Sequence, residues 1–227
     1  MREHGILFTT PNVQAILAGR KDVTRRIVDK EAEGDIWKRR QAFDVHEETD
    51  VVKVKRHAFK SSDPVHAKVL ALWSPYGVPG DQLYVRETWT DLTYRVLGKD
   101  YKGPLGYAGY RADGAVLAWA EDEDSRVLSD EEKAKLDINW ETVLWRPPRF
   151  MPRWAARLLL EVVSVRVERL QEITNNDAVR EGCEATIATP NAMPREVFEH
   201  LWNEINGETA PWDCNPLVWR IEFRRLP

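Results

Sequence analysis

Apolar residues recur at helical spacing near both ends of the chain. Val13, Ile16 and Leu17 repeat every three or four positions between Thr10, a residue type that caps helices, and Gly19, which favours a helix end. We therefore predict a short helix that Thr10 caps. A second, amphipathic helix is predicted over residues 194–205, with one apolar face formed by Val197, Phe198, Leu201, Trp202 and Ile205.

Alternation of apolar and polar residues predicts strands in other parts of the chain. The clearest cases are residues 158–167 and the closing segment, where Trp219, Ile221 and Phe223 alternate with charged residues. Further strands are predicted over residues 51–54, 68–73 and 83–89.

Turn and capping residues mark the remaining elements. Residues 107–119 predict a hairpin that turns at Asp113 and Gly114. A capping residue followed three positions later by an acid predicts a helix start, and this pattern occurs at Ser129 with Glu132 and at Thr174 with Asp177. The second of these helices is predicted to end at Gly182.

The order of the predicted elements is helix, strands, helices and a closing strand. Because few helices lie between strands, this order favours an α+β fold or a small barrel over a doubly wound sheet. We predict a single domain over residues 1–227. Two charge-rich, weakly periodic segments, 29–68 and 91–144, are predicted to be insertions at its surface.

Charge is segregated along the chain. The net charge of -4 argues against general nucleic-acid binding, but a local field can still bind an anion. Basic residues collect in two places: Arg20, Lys21, Arg25 and Arg26 form one group, and Arg146, Arg149, Arg153 and Arg157 form the other.

Several classes of site and protein are disfavoured. The two cysteines and the absence of a long apolar run predict a cytoplasmic protein with free thiols and no membrane segment. The five histidines show no metal-ligand spacing with each other or with the cysteines, so we expect neither a metal nor a cofactor. The oligomeric state is left open.

Four segments of the chain together resemble the ASCH family. Residues 16–26 contain Gly-x-Lys-x-x-Thr after a helix, and residues 79–87 contain Gly-Asp-x-Leu in a strand. Residues 170–182 resemble the later helix of the family, and residues 218–223 resemble its closing strand. The likeness covers residues 1–28, 69–90 and 145–227, and long versions of this kind resemble proteins carried by bacteriophages and prophages, which would place the protein in a host cytoplasm.

The resemblance implies a fold and two kinds of function. The fold would be a PUA-like small mixed β-barrel flanked by short helices, with the two segments above as insertions. Some family members resemble RNA-binding modules, whereas small bacterial members are amidohydrolases that remove the acetyl group of N4-acetylcytidine. By motif position, the residues assigned to that chemistry fall on Lys21, Thr24 and Glu181. At least one related member is described as a ribonuclease.

The chemistry of these residue types is compatible with amide hydrolysis. Thr24 offers a hydroxyl nucleophile, which Lys21 can activate if burial or neighbouring cations lower its pKa. Glu181 can hold the lysine or donate a proton to the leaving amine. Attack by water is an equal alternative. The competing interpretation is that the lysine is solvated, Thr24 is only a strand residue and Glu181 forms a surface salt bridge.

One geometric condition applies to this set. In a fully extended strand, Lys21 and Thr24 would face opposite sides, so the hypothesis requires a bend between Gly19 and Asp22.

Other residues are candidates for contacts with the substrate. We assign Arg20 and Arg26 to a phosphate or a base edge. Tyr84 and Trp89 are suited to lining a base pocket or to packing in the barrel, and Glu87 beside Arg86 is either a second acidic group of the site or a salt-bridge partner. A nucleic-acid rim is predicted at Arg146, Arg149 and Arg153, which are interleaved with aromatic residues.

The sequence is therefore compatible with three functions. The first is an amidohydrolase on an N4-acylated cytosine nucleoside or a related modified base. The second is a non-catalytic reader of RNA, of a modified base, or of single-stranded or modified DNA. The third, weaker one is a ribonuclease.

Overall fold

A computed structural model describes residues 1–28, 74–98, 100, 105–120, 123–184 and 192–227. The predicted insertion 29–68 and the predicted strands at 51–54 and 68–73 lie outside the described residues. The chain divides into two compact units. The first unit comprises Met1–Gly19, Gln82–Glu161 and Arg225–Pro227, and the second comprises Arg20–Asp81 and Val162–Arg224.

The described residues form a mixed structure of strands with few helices, so the predicted α+β class is confirmed. The strands are β1 Glu3–Leu7, β2 Val23–Ile27, β3 Gln82–Arg86, β4 Trp89–Asp91, β5 Leu105–Tyr110, β6 Val116–Ala120, β7 Glu123–Val127, β8 Leu159–Arg169 and β9 Leu217–Arg225. The helices are α1 Thr10–Leu17, α2 Thr93–Leu97, α3 Asp130–Ala134, α4 Asn175–Arg180 and α5 Pro194–Asn206. Among the described residues, no helix has the length and apolar character needed to cross a membrane.

One sheet follows the order β1-β3-β8-β9-β2, and β8 contributes residues to both units. In the first unit, β1 is parallel to β3, and β3 is antiparallel to the first residues of β8. In the second unit, the rest of β8 lies beside β9, which is antiparallel to β2. A closed barrel is not found in the described part of the chain, so the barrel stays a prediction.

A second, antiparallel sheet in the first unit has the order β4-β5-β6-β7. The predicted hairpin is confirmed: β5 and β6 pair across a turn in which Gly114 has a φ of +67°, a conformation that favours glycine. Residues 91–144 were expected at the surface, yet Ala108, Tyr110 and Leu117 from this segment lie in a buried cluster with Trp89. The segment therefore contributes strands to a sheet whose core it shares with residues outside the segment.

The core of the second unit lies under α4 and α5. Phe198 and Trp202 of α5 are buried, as the apolar spacing predicted, and they pack with Leu170, Ile173, Ala178, Cys183, Trp212 and Val218. The Trp202 indole donates to the main-chain oxygen of Ala210 at 2.8 Å, which satisfies its polar group. Ile205 was predicted on the same apolar face, but it is exposed because it lies in the last turn of the helix.

Local signals set the ends of α1 and α4. Helix α1 contains the predicted residues, but its cap position is occupied by Thr9 rather than Thr10, without a capping hydrogen bond from the side chain. The predicted capping box of α4 is confirmed, because the Thr174 hydroxyl accepts from the Asp177 amide at 3.1 Å. Helix α4 ends at Arg180, Glu181 occupies its C-cap position, and Gly182 follows with a φ of +87°.

The capping box of α4 generates a stability prediction. Replacing Thr174 with alanine leaves an amide of the first turn without its acceptor, which typically costs about 1 kcal/mol. We expect Thr174→Ala to lower the free energy of unfolding in urea by that amount. Thr174→Ser keeps the hydroxyl and should retain most of the stability, so an equal loss in both variants would contradict the assignment.

Candidate functional site

A buried ion pair lies where β2 begins and α4 ends. The Lys21 ammonium donates to the Glu181 carboxylate at 2.6 Å and to the main-chain oxygen of the same residue at 2.8 Å. The two residues also form an isolated antiparallel bridge, although they are 160 positions apart in the sequence. Lys21 is 4% exposed and Glu181 is 5% exposed. Two of the three predicted catalytic residues are therefore in direct contact, shielded from solvent.

The bend that this arrangement requires lies just before β2. Gly19 has a φ of +69°, and β2 itself begins only at Val23, so Lys21 stands outside the regular strand. Lys21 is therefore placed by its bridge to Glu181 rather than by the alternation of the strand.

Arg25 binds the other oxygen of the Glu181 carboxylate, whereas the sequence suggested it only as one of the cations near Lys21. Its guanidinium donates to Glu181 Oε1 at 3.1 Å and, through Nε, to Glu168 Oε1 at 2.8 Å. Its side chain is 0% exposed. One available signal was the even spacing between Lys21 and Arg25, which is typical of residues that share a strand face.

A further pair extends the buried charges along β9. Arg220, the register partner of Arg25, donates to Asp177 at 2.9 Å. Asp177 lies four positions before Glu181, and this spacing puts both carboxylates on one side of α4. Hydrogen bonds and ion pairs thus join three cations, Lys21, Arg25 and Arg220, to three carboxylates, Glu168, Asp177 and Glu181. We call this set the charge network.

Burial and neighbouring charges shift the pKa values of two members of the charge network, Lys21 and Asp177. Burial lowers the pKa of Lys21 below its usual value, the Glu181 carboxylate opposes this effect, and the charge of Arg26 adds to it. Burial raises the pKa of Asp177, but its hydrogen bond to Arg220 and the charges of Arg220 and Arg25 outweigh this and hold it at about 2. Burial therefore disfavours the charged form of Lys21.

Thr24 is buried, but it is not hydrogen-bonded to the Lys21–Glu181 pair. It is the register partner of Ile221 and follows the alternation of β2, which directs it away from the face that carries Arg25. In the part of the chain that the structure describes, its hydroxyl forms no hydrogen bond with Lys21 or Glu181. Among the described residues, the structure therefore bonds Lys21 to Glu181 and does not bond Thr24 to either of them.

The other residues near the motif differ in exposure. Arg20 is exposed and lies 3.5 Å from Glu184. Arg26 is half-buried, and burial lowers its pKa, with opposing effects from Tyr76 and Glu181. Cys183 is buried, and burial together with the Glu181 charge raises the pKa of its thiol to about 11, against the effect of Lys21.

The remaining predicted contacts belong to the first unit. Glu87 is buried and accepts two hydrogen bonds from Arg157, at 2.9 and 3.0 Å. This contact is the one expected if Glu87 is a salt-bridge partner rather than a second acidic group of the site. Trp89 is buried in the core of that unit, and Tyr84 is half-buried. Arg86 donates to the main-chain oxygens of Arg149 and Met151. Tyr84, Arg86, Glu87 and Trp89 are thus not in the unit that carries Lys21, Thr24 and Glu181.

Arg146, Arg149 and Arg153, predicted as a nucleic-acid rim, are exposed in the first unit. Arg153 is paired with Glu3 at 2.7 Å. In the described ranges, no group of three or more histidine, cysteine or acidic residues is arranged to hold a metal ion.

Comparison of the chain with protein-family models, with curated proteins and with solved structures gave no match.

The charge network predicts a large cost for removing Arg25. Arg25→Met leaves Glu168 and Glu181 buried without their shared cation, and breaking a buried pair in this way costs about 3–5 kcal/mol. Arg166 is the matched control, because it also binds Glu168, at 2.9 Å, but its side chain is 42% exposed. We expect Arg166→Met to cost at most about 1 kcal/mol. Urea unfolding measures both, and similar losses would contradict the network.

Proposed function

We propose that the chain is an ASCH-family protein with a PUA-like barrel, and that it hydrolyses the amide of an N4-acylated cytosine nucleoside or a related modified base. The observation that carries the proposal is the buried contact between Lys21 and Glu181, at 2.6 Å, within the Gly-x-Lys-x-x-Thr pattern. Sites that bury a lysine against one specific partner are enriched among functional sites.

Lys21 is the general base in this proposal. A buried amine releases its proton more readily than a solvated one, because burial disfavours the charged form. Glu181 opposes that release, but Arg25 occupies the second oxygen of its carboxylate and weakens its hold on the lysine. The pKa of Lys21 is lowered on balance, which makes the neutral amine accessible.

The reaction consumes one water molecule. The neutral Lys21 amine takes a proton from the Thr24 hydroxyl or from a water molecule, and the oxygen bonds to the acyl carbon. The bond from that carbon to N4 then breaks, and N4 receives the proton from Lys21. If Thr24 is the nucleophile, water hydrolyses the acyl ester in a second step. Arg26 is the cation assigned to the oxyanion or to the substrate.

A non-catalytic reader of modified bases at the same site is the second candidate. The observation that favours it is the Thr24 hydroxyl, which has no hydrogen bond to Lys21 or Glu181 within the described residues. A reader requires only that the buried charges recognise the base, whereas a covalent mechanism requires the hydroxyl to reach the lysine.

If the protein is this amidohydrolase, it should convert N4-acetylcytidine to cytidine, and chromatography measures the cytidine formed. Loss of the general base in Lys21→Met should lower the rate by about 10²–10⁴-fold, whereas the exposed control Lys135→Met should keep it. The rate should rise with pH, with its midpoint below the usual lysine value of about 10.4, because the base acts without its proton. A rate independent of Lys21 would exclude this mechanism.

Substitutions of Thr24 separate the two nucleophiles. Valine has the shape of threonine without the hydroxyl, and serine keeps the hydroxyl. If Thr24 attacks, Thr24→Val should lose the activity and Thr24→Ser should retain it; if water attacks, both should be active.

Calorimetry with the wild-type protein tests the second candidate. If the protein binds the nucleoside but does not convert it, the function is that of a non-catalytic reader and not that of an enzyme.

A further inference from the structure

In the first unit, residues 145–154 lie alongside residues 84–89. Arg146 and Trp89 exchange two main-chain hydrogen bonds, at 2.7 and 3.2 Å. Further along, Arg86 donates to the main-chain oxygen of Met151 at 3.1 Å, and Arg153 lies over the ring of Tyr84. Residues 145–154 therefore run in the opposite direction to residues 84–89, and their side chains lie at successive points along that stretch.

Three exposed arginines of this region each lie over an aromatic ring. Arg146 is 5.3 Å from the centre of the Trp89 ring, Arg149 is 4.8 Å from that of Phe150, and Arg111 is 5.9 Å from that of Trp145. We call Arg111, Arg146 and Arg149 the arginine row. A guanidinium over a ring keeps its charge and its donors available on the outer side.

The arginine row has no acidic partner among the described residues. Its neighbours differ in this respect, because Arg153 is paired with Glu3, and Arg157 is paired with Glu87 and Asp113. An unpaired cluster of cations in a chain whose net charge is -4 creates a local positive field. The charge of the row is thus free to attract an anion.

Apolar and aromatic groups are exposed beside the row. Leu144 is 77% exposed and Phe150 is 60% exposed. Trp145 is half-buried and stacks on Trp140 with an angle of 8° between the rings. Flat rings next to unpaired arginines suit a ligand that combines regular negative charge with planar groups.

We propose that this surface binds a single-stranded nucleic acid, with phosphates on the arginine row and a base stacked on the exposed Phe150 ring. Single strands fit because their bases are free to stack, whereas the bases of a duplex are occupied. The proposal does not depend on the amidohydrolase, because Lys21, Thr24 and Glu181 take no part in this surface.

Fluorescence anisotropy with a short labelled single-stranded RNA, and with the DNA of the same sequence, tests the proposal. The double variant R146Q/R149Q should bind more weakly, and its salt dependence should fall by about 0.7 in the slope of log Kd against log salt for each arginine removed. Phe150→Ala should weaken binding by about tenfold through lost stacking. Thermal unfolding of each variant checks that the fold is kept.

Arg126→Gln is the matched control. Arg126 is exposed in the same unit but is paired with Glu132 at 2.7 Å, so its removal should leave binding unchanged. Three results would overturn the proposal: no binding of either single strand, equal binding by wild type and R146Q/R149Q, or equal competition by a polyglutamate peptide. The last result would assign the surface to an acidic protein.

Discussion

The burial of charge is the constraint on which the second unit depends. An ion taken out of water costs several kcal/mol unless a partner of opposite sign meets it with good geometry. The charge network meets this condition residue by residue, since each of its cations binds at least one of its carboxylates. Each member therefore fixes the position of another, and the loss of one leaves an uncompensated charge in the interior.

This constraint ties together elements that are distant in the sequence. A shift of β2 by one residue would turn Arg25 to the other face of the sheet, away from Glu168 and Glu181. A shift of α4 by one residue would rotate Asp177 and Glu181 by about 100° around the helix axis. The capping box at Thr174 and the positive φ of Gly182 define both ends of this short helix. Local sequence signals thus place the groups that the network requires.

The same network marks the limit of what the sequence could predict. Periodicity and capping residues located the hairpin, β8, α4 and α5, because those signals are local. Alternation along β9 identified the strand but not the position of Arg220, which is buried and donates to Asp177 of α4. The role of Arg25 was missed for a related reason: its partners lie 143 and 156 positions away, and no single-sequence pattern joins them.

The surroundings of Lys21 also give a physical reason for its lowered pKa. Burial disfavours the charged form of any amine, and the charge of Arg26 acts on Lys21 in the same direction. The Glu181 carboxylate opposes both effects, but it also accepts a hydrogen bond from Arg25, so Lys21 is not its only cation. The neutral lysine that the proposed amide hydrolysis requires is thus the form that burial and the charge of Arg26 favour.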